Sequence, residues 1–245
     1  SPPGAIDIVF YENSDGVGTT WVLHTVSTVS SYTPTLVADD FDLDGDVDVV
    51  SYAQSDNGHG EVQWHENVGG SGTSWTNHHV LSGTERPYSA SVGDVDSDGD
   101  KDLFVALISD EIAWFENANG AGTSWTRHSD LATPENPKSV MAVDLDLDGD
   151  IDALSAEGGG TGVEWHRNQD SLGGLWSDET ISSTLTTPTT SIAADLDGDG
   201  DLDVLSEEDF YGGSFLPAET RIVWFENLSV SDPLDSDSDN DGLLD

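Results

Sequence analysis

The sequence has no cysteine, so none of its 245 residues can form a disulfide and thiol redox chemistry is excluded. It has almost no positive charge: six Lys and Arg stand against 49 Asp and Glu, for a formal net charge of -43. A polyanion of this kind repels nucleic acid and anionic membranes, which are bound through Lys and Arg on phosphate, and it attracts divalent cations instead. No run of 18 apolar residues and no charged, apolar, small-residue leader occurs. Direct membrane insertion is therefore not expected, and the chain reads as a mature soluble piece cut from a longer precursor. No window holds an amphipathic helix of useful length. An acid excess this large often accompanies disorder. Here, however, the acids cluster in loops between apolar runs, and eight Trp require a packed interior. The length suits one repeat-built domain or two small ones with a sizeable core.

The acids are organised as a nine-residue loop, plainest in Asp144 to Asp152 (DLDLDGDID). Asp at positions 1, 3, 5 and 9 with Gly at 6 lets a tight turn point several hard oxygens at one cation. The loop opens again at Asp40, Asp94 and Asp195, giving periods of 54, 50 and 51 residues, and a fifth copy opens at Asp237. Each of the first four is followed by a Trp-containing marker: Trp64 to Asn67, Trp114 to Asn117, Trp165 to Asn168 and Trp224 to Asn227. A Gly-rich turn with Trp follows at Trp75, Trp125 and Trp176, and both markers precede the first loop at Phe10 to Asn13 and at Trp21. Short apolar runs between Gly, Asn and Asp read as four strands per unit of about 50 residues, the pattern of propeller blades. The count of strands is two, three sets of four, and three.

The segments 40–48, 94–102, 144–152 and 195–203 resemble the calcium loops of FG-GAP (VCBS-type) repeats, as in integrin alpha-subunit propellers and many bacterial surface proteins. The resemblance covers about residues 5 to 228. It implies an all-β propeller of four-stranded blades with the loop joining the first two strands of each. Five blades with one incomplete is the preferred count, and part of a larger, for example seven-bladed, propeller is the alternative. Residues 1–228 form the expected propeller domain. Residues 229–245 form an Asp-rich linker similar to the first unit of a thrombospondin type 3 repeat, in which Asp237, Asp239, Asp241 and Asp245 keep the loop spacing.

Oxygen-only ligands favour Ca²⁺ over Zn²⁺ or Mg²⁺. Four propeller sites and a fifth at the C-terminus are expected. In the third loop Asp144, Asp146, Asp148 and Asp152 are assigned side-chain oxygens and Asp150 its backbone carbonyl. The same roles fall to Asp40, Asp42, Asp44, Asp46 and Asp48; to Asp94, Asp96, Asp98, Asp100 and Asp102; and to Asp195, Asp197, Asp199, Asp201 and Asp203. The eight Trp occupy two repeat positions and are read as core, not as sugar platforms. The histidines follow the repeat in the same way. No Ser, His and Asp set stands apart from the repeat, and few carboxylates outside the loops are left for a glycosidase pair, so no catalytic residue is assigned. The fourth repeat breaks the pattern. Its loop and Trp are 21 residues apart against 16, 12 and 13 in the others, and the insertion carries Phe210, Tyr211 and Phe215, candidate ligand contacts. A weaker candidate is Gln54 to His59.

The resulting expectation is a non-enzymatic, secreted or surface-displayed bacterial calcium-binding propeller for adhesion or for surface or filament assembly. Its partners would be a glycan, an extracellular protein, or other copies of itself joined by strand addition. A lectin-like glycan module is the alternative, and a propeller-scaffold hydrolase or lyase is the second alternative.

Overall fold

The computed structural model describes residues 6–29, 32–54, 59–83, 85–132, 134–159, 162–185, 187–210 and 219–227. β1 (Ile6–Asn13) and β2 (Trp21–Val29) form a leading pair. The first full sheet contains β3 (Tyr32–Asp39), β4 (Asp48–Gln54), β5 (Gly60–Asn67) and β6 (Trp75–Gly83). The second contains β7 (Pro87–Gly93), β8 (Asp102–Leu107), β9 (Glu111–Asn117) and β10 (Trp125–Ala132). The third contains β11 (Pro137–Val143), β12 (Asp152–Glu157), β13 (Gly162–Asn168) and β14 (Trp176–Ser182). A trailing sheet contains β15 (Pro188–Ala194), β16 (Asp203–Phe210) and β17 (Glu219–Phe225). Every pairing is antiparallel between strands adjacent in sequence, as short turns require. The fold is that of repeated propeller blades. There are five sheets, both end sheets have fewer than four strands among the described residues, and none closes on itself.

Period-two alternation gives each full sheet two apolar faces, and each face is buried against a neighbour. Val50, Val62 and Trp64 of the first full sheet pack with Leu103, Val105 and Leu107 of the second. Phe104, Ile112 and Trp114 on the second sheet's other face pack with Val140 and Ala153 of the third. Leu154 and Val163 then meet Val204 of the trailing sheet. Burying side chains of this size contributes roughly 1.5 to 3 kcal/mol each. The first strands of successive sheets are also tied by serines, the Ser91 hydroxyl accepting from Ala142 N–H at 2.9 Å and Ser139 from Ser191 N–H at 3.1 Å.

Glycines set how closely the sheets approach. Gly122, at φ 61°, lies against the Trp64 indole, where a Cβ would come within 2.6 Å of the ring, and Gly173, at φ 64°, holds the same place against Trp114. In the second and third full sheets the turn between the third and fourth strands thus caps the buried Trp of the sheet before it, and in the first full sheet Gly72 lies in the same way against Phe10. No described sheet follows β17, and there the equivalent Trp224 is 48% exposed while Trp64 is 0%.

Candidate metal centres

Each loop joins the first and second strands of its sheet and turns by backbone conformations that L side chains resist. The position-6 glycines Gly45, Gly99, Gly149 and Gly200 have φ of 95°, 97°, 100° and 100°. Position 4 is also left-handed: Leu43, Ser97 and Leu147 lie at φ 58°, 60° and 59°, and the fourth loop has Gly198 there at 85°. Carboxylates of the loop bond its own amides. Position 1 accepts from the position-6 N–H, with Gly45, Gly99 and Gly149 at 3.0, 3.1 and 3.0 Å from Asp40, Asp94 and Asp144. Position 5 accepts from position 7, with Asp46, Asp100, Asp150 and Asp201 N–H at 2.9 to 3.1 Å from Asp44, Asp98, Asp148 and Asp199.

This geometry brings positions 1, 3 and 9 together in three loops. Ligand oxygens of Asp40, Asp42 and Asp48 lie within 4.8 Å of one another, as do those of Asp94, Asp96 and Asp102 and those of Asp144, Asp146 and Asp152. In the fourth loop the converging set is Asp195, Asp197 and Asp199, all exposed, with Asp203 apart. Asp44, Asp98 and Asp148 at position 5 stay outside the groups, as do the side chains at position 7 (Asp46, Asp100, Asp150, Asp201). One oxygen of three of the four position-1 carboxylates, Oδ1 of Asp40, Asp94 and Asp144, is buried without a hydrogen-bond donor, and so is Oδ1 of Asp146, whereas Asp195 Oδ1 accepts from Gly198 N–H at 2.7 Å. A desolvated carboxylate oxygen without a donor is costly, and a cation is the group that suits several converging on one point. The residues therefore fit a bound metal ion.

Position 9 has a second task that spacing does not reveal. Asp48, Asp102, Asp152 and Asp203 are all buried. Their Oδ1 atoms accept from the N–H of Asn67, Asn117, Asn168 and Asn227 at 2.7 to 2.9 Å. Their Oδ2 atoms accept from the N–H of loop residue 2, namely Phe41, Val95, Leu145 and Leu196, at 3.0 to 3.3 Å. The indole N–H groups of Trp64 and Trp165 donate to Asp48 and Asp152. Two of the asparagines, read from sequence only as repeat markers, lock the first and second loops to the next sheet: Asn117 Nδ2 donates to Phe41 O at 3.1 Å and Asn168 Nδ2 to Val95 O at 2.9 Å. Burial raises the position-3 carboxyls Asp42, Asp96 and Asp146 and the position-9 Asp48, and it pushes Asp102 up to about 7 and Asp152 up to about 6, against the hydrogen bonds that lower them.

Three overlapping segments, residues 40–105, 94–155 and 144–206, match the family described as FG-GAP-like repeat. Together they span more than half of the chain. The chain belongs to the FG-GAP-like repeat family. Each matched segment opens on the first Asp of a loop and ends in the second strand of the next repeat, so loop and sheet recur as one unit. A search of curated proteins found none that matches the chain significantly. Among the described residues, no helix is long and apolar enough to cross a membrane.

The FG-GAP-like repeats are not electrostatically equal. In the third, Arg167 Nη2 lies 2.5 Å from Asp146 Oδ2 and 3.1 Å from Asp148 Oδ2, so one guanidinium bridges two loop carboxylates and offsets one of their two charges. Glu66 and Glu116 hold that position in the first and second repeats and help raise Asp42 and Asp96.

The other sequence-assigned residues fall as follows. Asp237, Asp239, Asp241, Asp245, Tyr211 and Phe215 lie outside the described residues, with the 229–245 linker; Phe210 ends β16, and its side chain is also outside them. Trp64 and Trp114 are core, as read, whereas the end-sheet Trp21 and Trp224 are half exposed. Phe10, Trp64 and Trp114 stack on His24, His78 and His128, whose Nε2 atoms each meet Glu12, Glu66 or Glu116 at 2.8 Å. The sequence did not single out the chain Ser155–His166–Asp178, with 2.9 Å from Oγ to Nε2 and 2.7 Å from Nδ1 to Oδ1. These distances match those of a nucleophilic triad. The serine is fully buried, however, and Ser51–His65–Asn77 repeats the arrangement in the first full sheet, so both are polar struts between strands.

Proposed function

We propose that the chain is a non-enzymatic, extracellular calcium-binding propeller module that serves adhesion or surface assembly, with Ca²⁺ pinning each loop-bearing blade. The observation that carries the calcium reading is the buried, donor-free Oδ1 of Asp40, Asp94 and Asp144, each converging with the carboxylates at positions 3 and 9. Carboxylates alone, in a loop with adaptable geometry, suit Ca²⁺ better than Zn²⁺, which favours sites with at least one nitrogen or sulfur ligand, or Mg²⁺, which keeps its waters. Binding to the native state alone stabilises it by RT ln(1 + [L]/Kd). Millimolar extracellular calcium therefore fills even weak loops, whereas cytosolic levels leave crowded carboxylates uncompensated. Membership of the FG-GAP-like family supports the extracellular and adhesive setting.

The partner is a glycan, an extracellular protein or another copy of the chain. Self-assembly by strand addition is favoured by the outer edge of β17, which pairs with no strand among the described residues and where Ile222 and Trp224 are exposed. Calorimetric titration of the chelated chain tests the calcium reading. Saturable binding of several Ca²⁺ ions, reduced by one in Asp94→Asn, supports it, and the absence of binding at millimolar Ca²⁺ refutes it. Sizing of the calcium-loaded chain across concentrations tests assembly, and a monomer throughout rules out the strand-addition route.

A further inference from the structure

A second cluster of ligating side chains lies away from the loops, on one face of the third full sheet. Alternation along β12 places Ser155 and Glu157 on the same face as Ala153, which packs against the second sheet. The register sets His166 opposite Ala153 and Glu164 opposite Ser155. Ligand atoms of Glu157, Glu164 and His166 lie within 4.8 Å of one another, with Glu157 and His166 fully buried and His166 Nε2 3.8 Å from Glu157 Oε1.

Two features distinguish this cluster from a chance grouping of acids. The first is the orientation of the imidazole. Asp178 accepts from His166 Nδ1 at 2.7 Å, which fixes the plane of the ring and directs Nε2 toward Glu157, 3.8 Å away. A carboxylate behind a histidine is how proteins orient an imidazole toward a metal. Ser155 donates to Glu157 Oε1 at 3.1 Å and lies 2.9 Å from Nε2, so it lies between the imidazole and the buried carboxylate.

The second feature is the trailing sheet, which holds the same buried carboxylate in a different way. Glu208 occupies the register of Glu157 and receives Arg221 Nε at 2.6 Å across the strand pair. At the place of Arg221 the third sheet has Gly162, where any side chain would strike Ser182 O. At the places of His166 and Glu164 the trailing sheet has Phe225 and Val223. The two sheets thus answer one buried carboxylate differently, by an arginine in one and by a histidine with a second carboxylate in the other.

The geometry points to a divalent transition-metal site formed by Glu157, Glu164 and His166, with Asp178 as positioning residue and Zn²⁺ as the ion that best suits one imidazole nitrogen and two carboxylates. It is chemically distinct from the oxygen-only loops and independent of whether they hold calcium.

The test is calorimetric titration of the calcium-saturated chain with Zn²⁺, supported by the absorption spectrum of Co²⁺ as a substitute. One saturable Zn²⁺ equivalent is expected, with calcium retained. Affinity should fall roughly 10- to 100-fold in Asp178→Asn, and at least as far in Glu164→Gln and in His166→Phe, the last placing the residue found at that register in the second and trailing sheets. No saturable binding, release of calcium in step with Zn²⁺ uptake, or binding that survives in His166→Phe would overturn the site. If His166→Phe does not fold, Glu164→Gln decides alone, because that side chain is partly exposed, and undiminished affinity there refutes the proposal.

Discussion

The second and third loops have almost the same backbone. Their φ angles are 97° and 100° at Gly99 and Gly149, and 60° and 59° at Ser97 and Leu147. Their electrostatic settings are opposite, since Glu116 lies beside one and Arg167 is inserted into the other. Loop shape therefore comes from the turn residues and the position-9 clamp. Both loops keep a buried, donor-free oxygen on their first Asp, and one residue on the third strand, outside the loop, tunes how much charge a cation has to offset. Glu116 adds negative charge beside the second loop, whereas Arg167 brings one positive charge between Asp146 and Asp148 of the third.

The largest effect should fall on what the two loops share. Asp102→Ala and Asp152→Ala each leave two buried N–H groups without their acceptor, those of Val95 and Asn117 in one case and of Leu145 and Asn168 in the other. Each should cost about 3 kcal/mol in urea unfolding with calcium present. A cost confined to one loop would break the equivalence of their frames. Exchanging the residues that differ comes next. Arg167→Glu should tighten calcium binding at the third loop and Glu116→Arg should weaken it at the second, each by about tenfold, or about 1.4 kcal/mol, in calorimetric titration. Equal affinities before and after the exchange would show that the flanking charge does not matter.

The pH dependence follows from the same carboxyls. In chelator, burial pushes Asp102 up to about 7 and Asp152 up to about 6, so the folded chain binds protons that the unfolded chain, with ordinary Asp near 3.8, does not. The contribution of these groups to stability should therefore rise as pH falls from 7 toward 4. With calcium bound the sign should reverse, because protons compete with the ion for the same oxygens. Chelated and calcium-loaded melts across that window check both slopes. The smallest effect belongs to position 4, where Leu147→Gly should stabilise by about 1 kcal/mol by relieving a left-handed leucine, while Ser97→Gly should do the same in the second loop.

Much of this was legible in the sequence because it recurs there. The period near 50 residues marked the sheets, and the strand count of two, three fours and three matches the observed order. What was not legible depends on where side chains are buried. Asp spacing marks oxygens that can converge but does not tell which one is also a buried clamp, as Asp152 is, or which carboxylate stays aside, as Asp148 does. Nothing in a leucine announces the φ of 59° at Leu147. Arg167 looked like one variant letter in a Trp-containing marker, because its reach to Asp146 is a cross-element contact 21 residues away in sequence. The chain Ser155–His166–Asp178 was hidden for a similar reason, since three separate strands bring it together.

Hydrogen exchange with and without chelator tests the central claim most directly, because the Gly45, Gly99 and Gly149 amides each bond a position-1 carboxylate of their own loop. With calcium all three should be protected. In chelator Gly45 and Gly99 should lose that protection, while Gly149, beside Arg167, keeps most of its own. Unchanged protection at all three would contradict a structural role for calcium, and equal loss at all three would contradict the role given to Arg167.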